Sequence, residues 1–270
     1  MNNYFASETS RGASHWPQLR SAIENGFTLV ATYPNSAPAP VQAWPSIAVT
    51  PEVEVRAAPA SKKEVAATVR RVKWSVRWYL DSIVLLAPDD RACTSLIPPL
   101  YDVLGPGYDA LVDRKRNVSA AEGLLATARR LLSRPPENVL DFGCGSGLAL
   151  GARNRPQFLL GWDASEVMRR TAADTGMTVL ETKSLDSVPS GLFDAVISCY
   201  VLHLPGAPEG AVAAMRMLRT GGVLVGNLHH SADSGEITRA CSGRGVRLEY
   251  QEHDPLHGDI LAITHLRETK

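Results

Sequence analysis

The sequence has no surplus of charge of either sign. Lys plus Arg and Asp plus Glu each total 28 of 270 residues, a formal net charge of zero. No global field draws the chain toward nucleic acid or an anionic membrane. Cysteine is scarce. Cys93, Cys144, Cys199 and Cys241 stand far apart, with no C-x-x-C pair and no compact Cys/His cluster. That pattern argues against a structural zinc site and against a disulfide framework. There is no compelling carboxylate cluster for a divalent metal, no internal repeat and no long low-complexity tract. No apolar run approaches the ~20 residues of a membrane span. The first residues, Met-Asn-Asn-Tyr-Phe-Ala-Ser-Glu, lack a basic segment leading into an apolar one. No signal peptide is expected, and the expected location is the cytoplasm. What is present is ordinary for a globular chain: 44% apolar and 21% charged residues. The length suits one large domain or two modest ones. Arg far outnumbers Lys and Ala is common, as in a GC-rich bacterial genome.

The pattern changes near residue 100. Before it, proline-rich pieces separate short apolar runs. Trp16 to Glu24 reads as a short helix and Phe27 to Tyr33 as a strand. Ile47 to Ala57 reads as a strand interrupted at Pro51. Ser61-Lys-Lys-Glu64 has the capping-box pattern of a helix start. That helix is expected to reach about Arg71. Beyond it, Val72, Trp74, Val76, Trp78 and Leu80 alternate as a strand would. Val65, Val69, Val72, Val76, Leu80 and Ile83 instead make a helical stripe, so both readings stay open. Residues 1–98 are read as a small α+β module, and residues 99–270 as a second domain.

After residue 100, helix and strand patterns alternate. Helices are expected at Ser119 to Leu132, Gly147 to Arg153, Ser165 to Thr175, Gly210 to Leu218 and Ser234 to Cys241. Strands are expected at Asn138 to Phe142, Phe158 to Trp162, Met177 to Glu181, Phe193 to Cys199 and Val223 to Leu228, the last after a turn at Gly221-Gly222. Val246 to Glu252 and Asp259 to Leu266 follow as an antiparallel hairpin across Pro255-Leu-His-Gly258. Such alternation implies an α/β fold with a mostly parallel sheet and right-handed crossovers.

The strongest local signal is Val139-Leu-Asp-Phe-Gly-Cys-Gly-Ser-Gly147. An apolar strand runs into glycines at 143, 145 and 147, which permit a tight turn and close approach of backbone to a ligand. The spacing is not that of the dinucleotide fingerprint, whose last glycine would fall at Leu148. A phosphate loop of the G-x-x-x-x-G-K-[ST] type is absent. A nucleotide-dependent oxidoreductase therefore fits poorly. Asp141 precedes the glycines and suits a cationic ligand. Asp163, in Gly161-Trp-Asp-Ala-Ser165, follows Asp141 by 22 residues. An acidic residue ~20 positions on, at the end of the next strand, is placed to accept ribose hydroxyls.

On these residues, positions 137–230 resemble the core of a class I S-adenosylmethionine-dependent methyltransferase. Asp141 to Gly147 is similar to that family's first motif and Gly161 to Ser165 to its second. Phe193 to His203 resembles the fourth-strand motif, and Leu218-Arg-Thr-Gly-Gly-Val-Leu-Val225 the entry to the fifth strand. With the hairpin, the resemblance spans roughly residues 100–268. It implies a Rossmann-like seven-stranded, mostly parallel sheet with an antiparallel final strand, flanked by helices, and S-adenosylmethionine as cofactor. Backbone at Gly143, Cys144 and Gly145 would hold its methionine part, Asp163 its ribose, and Ala164 would flank the adenine. Cys199 and Tyr200 would line the sulfonium and substrate side. Where the family often carries Asp-Ala to meet the adenine, this chain has Ser184-Leu185, with Asp186 as a substitute. Upstream, Tyr108 would pack on the cofactor, and Arg114 or Arg116 would pair with its carboxylate.

Methyl transfer is an in-line displacement in which alignment supplies much of the acceleration. A general base helps a hydroxyl acceptor, and His203, His229 and His230 lie past strand ends, where open α/β sheets bind ligands. The fourth strand leads into Ser198-Cys-Tyr-Val201. It does not lead into Asn/Asp-Pro-Pro-Tyr, the family's mark for base or glutamine amide nitrogens. The expected acceptor is an oxygen or nitrogen of a small metabolite, with the N-terminal module shaping its pocket. RNA or protein methylation, served by the cation- and aromatic-bearing stretch Arg70 to Tyr79, is the alternative. A non-catalytic cofactor-binding protein is a further one. Oligomeric state is left open.

Overall fold

The computed structural model describes residues 15–59, 61–79, 82–182, 184–204, 206–228 and 234–265. The chain packs as two units, 1–107 and 108–270. The sequence pattern had set the division at 98/99.

The first unit holds α1 (Trp16–Glu24), β1 (Thr28–Thr32), α2 (Ala39–Gln42), β2 (Ser46–Val49), β3 (Glu54–Ala58) and α3 (Lys62–Arg70). It continues with β4 (Ser75–Tyr79), β5 (Ile83–Ala87), α4 (Asp90–Ser95) and α5 (Ile97–Leu104). Its five strands lie in the order β2-β3-β1-β5-β4. The capping box forms as read: Ser61 Oγ accepts from the Glu64 amide, and the Glu64 carboxylate accepts from the Ser61 amide. Past α3 the two open patterns resolve to strand. Lys73 turns the chain at φ 55°, and β4 pairs antiparallel with β5. The pairing partner decided this, because a local pattern that suits both periods carries no preference of its own. Ile83 begins β5 and belongs to no helix.

The second unit holds α6 (Arg114–Leu132), β6 (Asn138–Phe142), β7 (Phe158–Trp162), α7 (Glu166–Asp174), β8 (Thr178–Val179) and β9 (Phe193–Ser198). Then come α8 (Ala207–Ala214), β10 (Leu218–Leu228), α9 (Ser234–Cys241), β11 (Val246–Asp254) and β12 (Gly258–His265). The sheet order is β11-β12-β10-β9-β6-β7-β8. Strands β6 to β10 run parallel, and β12 is antiparallel to both of its neighbours. From β6 the chain winds outward through β7 and β8. It then returns to the other side of β6 with β9 and β10. The reversal puts the switch point, where such sheets bind ligands, at the carboxyl ends of β6 and β9.

Alternation along the strands builds two cores. Leu140, Phe142, Val196 and Leu224 face Ala211, Val212, Ile237 and Ala240 of α8 and α9. Val139, Ala195, Ile197, Val223 and Val225 face Ala121, Leu124, Leu125 and Ala128 of α6. Three local expectations differ. α6 starts at Arg114, capped by Asp113, because its polar first turn carries no apolar period. The expected helix at 147–153 is only a 3-10 turn, Leu148–Gly151, since Ala152 is extended and Pro156 lies just ahead. The expected turn at Gly221-Gly222 is a break in register inside one continuous strand, β10.

Asp194 fastens the amino ends of these strands. Its fully buried carboxylate accepts from the amides of Glu137 and Asn138 at 2.9 Å, from Arg134 at 2.7 Å and from Arg219 at 3.2 Å. Burial alone would raise its pKa, but these donors outweigh it and hold the carboxyl at about 2. A carboxyl held below its unfolded value stabilises the fold at higher pH and loses that contribution as pH falls toward 2. Asp194→Ala is expected to cost about 2–4 kcal/mol at pH 7, by stranding two amides and two guanidinium groups. Urea unfolding at pH 7 and pH 3 checks this; an equal cost at both would rule out the ionic clamp.

Candidate functional site

The glycine loop leaves β6 and is caught by the end of β7. The Trp162 carbonyl accepts from the amides of Gly143 and Cys144 at 2.7 and 3.0 Å. Asp163 then accepts from the Gly145 amide and the Ser165 amide, both at 2.9 Å. Gly143, Gly145 and Gly147 all have positive φ, at 77°, 52° and 83°. At Gly145 an added Cβ would meet only Tyr108 Cε1 at 3.9 Å, so this residue presents bare backbone to open space. Gly161 is small for another reason: a Cβ there would lie 2.4 Å from Met177 Sδ and 2.8 Å from Cys144 Sγ.

An open cleft lies at the switch point, lined by Tyr108, Asn117, Asp141, Gly143 to Ser146, Cys199 and Tyr200 among others. Seven residues expected from the sequence meet here: Tyr108, Asp141, Gly143, Cys144, Gly145, Cys199 and Tyr200. Asn117 and Ala121 were not foreseen. They are one turn apart on α6, and only the packing of α6 on the sheet aims them inward. Ser146 donates to Asp109, which also pairs with Arg114 at 3.6 Å, so the segment after Tyr108 is tied to the loop.

Other expected residues stand outside this lining. Asp163 is turned onto the loop. Ala164 is exposed, and its carbonyl accepts from Arg169. Ser184 spends its hydroxyl on Asp186, and the Leu185 carbonyl accepts from Arg216. Arg116 Nε donates to the Tyr200 hydroxyl at 3.1 Å and to the Leu256 carbonyl at 2.9 Å. His203 is half-buried in the turn after β9, between buried Leu202 and Leu204. His229 and His230 lie outside the described residues. A histidine that sequence reasoning missed, His257, reaches Tyr200 from the β11–β12 turn. The only local sign of it was the turn sequence itself. Among the described residues, no group of His, Cys, Asp and Glu is placed to hold a metal ion. Nor is any described helix long and apolar enough to cross a membrane.

Electrostatics concentrate on Asp141. It is 2% exposed and its Oδ1 meets no hydrogen-bond partner. Burial, and then the charge of Asp163, push its carboxyl up to about 7. Burial also pushes the Cys144 and Cys199 thiols up, so neither is a ready nucleophile. A carboxyl raised in the fold favours folding only at low pH and loses that contribution as pH rises toward 7. Asp141→Asn should therefore raise the melting temperature, and by more at pH 8 than at pH 5. An equal gain at both pH values would show that Asp141 charge does not burden the empty cleft.

Residues 140–226 match the family model described as a methyltransferase domain. No curated protein matches the chain. Among solved structures, the chain resembles the sugar N-methyltransferase KedS8 from Streptoalloteichus, with 18% identity over 60% of this chain and 94% of that one, and a TM-score of 0.48. It resembles the amino pentose methyltransferase CalS10 from Micromonospora echinaspora at 16% identity over 59% and 96%, with a TM-score of 0.47. For DesVI from Streptomyces venezuelae the values are 17%, 56%, 92% and 0.45. Identities this low and TM-scores below one half leave the assignment to the family match and the strand order. Residues 140–226, within the second unit, thus form a methyltransferase domain of the class I, S-adenosylmethionine-dependent kind, with S-adenosylmethionine as its cofactor.

Proposed function

We propose that this methyltransferase acts on an oxygen or nitrogen of a small-molecule metabolite. The observation that carries the reading is the cleft at the ends of β6 and β9. Its far wall is a tyrosine and a thiol, Tyr200 and Cys199, with no Asn/Asp-Pro-Pro-Tyr exit. The zero net charge supports it, since a nucleic-acid substrate calls for a basic surface.

The residues present fit the cofactor. When bound, it supplies an electrophilic methyl carbon on a sulfonium. The amides of residues 143–145 are already committed inside the fold, so the loop offers a ligand carbonyl oxygens, which suit an ammonium group. The unpartnered Asp141 Oδ1 beside them offers a full negative charge. Asp163, which holds the loop through the Gly145 and Ser165 amides, is proposed for the ribose hydroxyls. Ala164 and Ser184-Leu185 are proposed for the adenine side. Any pairing of Arg116 with the cofactor carboxylate falls to its terminal nitrogens, since Nε is engaged.

Calorimetry with S-adenosylhomocysteine tests the site. Asp163→Ala should weaken binding by about 10–100-fold, the worth of charge-assisted hydrogen bonds. Unchanged affinity would remove Asp163 from the site. Wild-type affinity should rise between pH 6 and pH 8 as Asp141 ionises, and Asp141→Asn should flatten that rise. Methyl-tritiated S-adenosylmethionine, offered with a panel of phenols, amino sugars and small amines beside RNA and bulk protein, tests the acceptor class. Label in a panel member is expected; label confined to RNA or protein would overturn the reading.

A further inference from the structure

Tyr200 stands at the end of β9 with φ 56°, a left-handed conformation that costs a bulky side chain energy and persists only where neighbours impose it. The neighbour is Asn227, fully buried on β10. Asn227 Oδ1 accepts from the Tyr200 amide at 2.7 Å, and Asn227 Nδ2 donates to the His257 carbonyl at 2.9 Å. The Asp254 carboxylate accepts from the amides of Leu256 and His257 and shapes the turn that presents the imidazole. One amide side chain and one carboxylate thus bring β9, β10 and the β11–β12 turn together at the cleft.

The side chains then form a chain of contacts. The Tyr200 hydroxyl lies 2.9 Å from His257 Nδ1, and His257 Nε2 lies 3.1 Å from Ser119 Oγ. His257 is 5% exposed, whereas Ser119 is at the surface of α6. Arg116 fixes the direction. Its Nε can only donate, so it occupies a lone pair of the Tyr200 oxygen and favours the hydroxyl proton pointing at Nδ1. Nδ1 then accepts, and the imidazole carries its proton on Nε2, toward Ser119. Burial pushes the Tyr200 hydroxyl up, which keeps the phenol protonated and a donor.

We propose that Tyr200 and His257 form a proton path from the cleft to the surface at Ser119, with Tyr200 the catalytic contact on the methyl acceptor and His257 a positioning residue acting through it. This rests on the reading of a small acceptor that carries a proton to lose. The acceptor's lone pair forms the bond to the methyl carbon, and the carbon–sulfur bond breaks with its pair left on sulfur. The acceptor's proton passes to the Tyr200 oxygen as the phenol's own proton moves to Nδ1. The imidazolium then releases its Nε2 proton past Ser119 to water. When the product has left, the Tyr200 oxygen gives the acceptor's proton to water in the cleft, the Nδ1 proton returns to that oxygen and Nε2 takes a proton back from water, which restores the starting tautomer with one proton released per turnover. The positive charge lost at the sulfonium leaves as that proton.

Imidazole ¹⁵N spectra of the full chain with S-adenosylhomocysteine bound read the path without any acceptor. The Nε2–H tautomer of His257 is expected, with its Nδ1 resonance moving in Tyr200→Phe. The Nδ1–H tautomer would overturn the proposal, because the imidazole would then be the donor and could not receive the proton. With the panel member that takes label, Tyr200→Phe and His257→Gln should each lower kcat by ~10²-fold, the usual worth of acid–base help. S-adenosylhomocysteine affinity should stay within about twofold, and the double variant should be no slower than the slower single one. Tyr200→Phe removes only the hydroxyl, so wild-type turnover in that variant would also end the proposal. If no panel member takes label, the small-molecule reading falls, while the tautomer still decides the proton path.

Discussion

The Trp162 carbonyl and the Asp163 carboxylate between them accept the amides of Gly143, Cys144 and Gly145, and every feature of the cleft follows from that capture. A loop turning through positive φ leaves its N–H groups with no ladder to join, and buried donors without partners are costly. Here the end of the neighbouring strand supplies the acceptors. The pairing of β6 with β7, residue against residue from Asn138 with Phe158 to Phe142 with Trp162, sets the height at which they stand. Gly161 allows the approach, since any side chain there would strike Met177 and Cys144. The glycine spacing and the acidic residue after the second strand are therefore one device.

That device leaves a burden. Asp141 and Asp163 stand at adjacent strand ends, close enough for the charge of Asp163 to disfavour that of Asp141, and Asp141 is almost wholly out of water. In the empty protein, ionised Asp141 is disfavoured by burial and by its neighbour. An unfavourable charge at such a place is a departure from the stability optimum of the kind that functional sites carry. Asp194 at the opposite ends of the strands shows the contrast. It is as deeply buried, yet four donors make its charge an asset to the fold.

Legibility differed across the molecule for physical reasons. In the second unit β6, β9 and β10 were readable because buried parallel strands are apolar runs bounded by turn residues, and β11 and β12 because a turn sequence separates them. The glycine loop was readable because only glycine tolerates its backbone. In the first unit, β4 satisfied two periods at once, and α4 and α5 carried too few periodic positions to announce themselves. Ala121 looked like any residue of an amphipathic helix, and Asn117 lay before the helix as the pattern drew it. His257 looked like a turn residue.

The sequence by itself determined the order of strands and helices in the second unit, the glycine loop at the switch point, and the acidic residues beside it. Each depends on neighbours close in the chain or on a backbone conformation that few residues adopt. Only the tertiary structure decided which histidine meets Tyr200, that Asp163 holds the loop, and that Asn227 accepts the Tyr200 amide. Those contacts join residues from α6, β9, β10 and the β11–β12 turn, far apart in sequence. Nothing local distinguishes them until the sheet has closed.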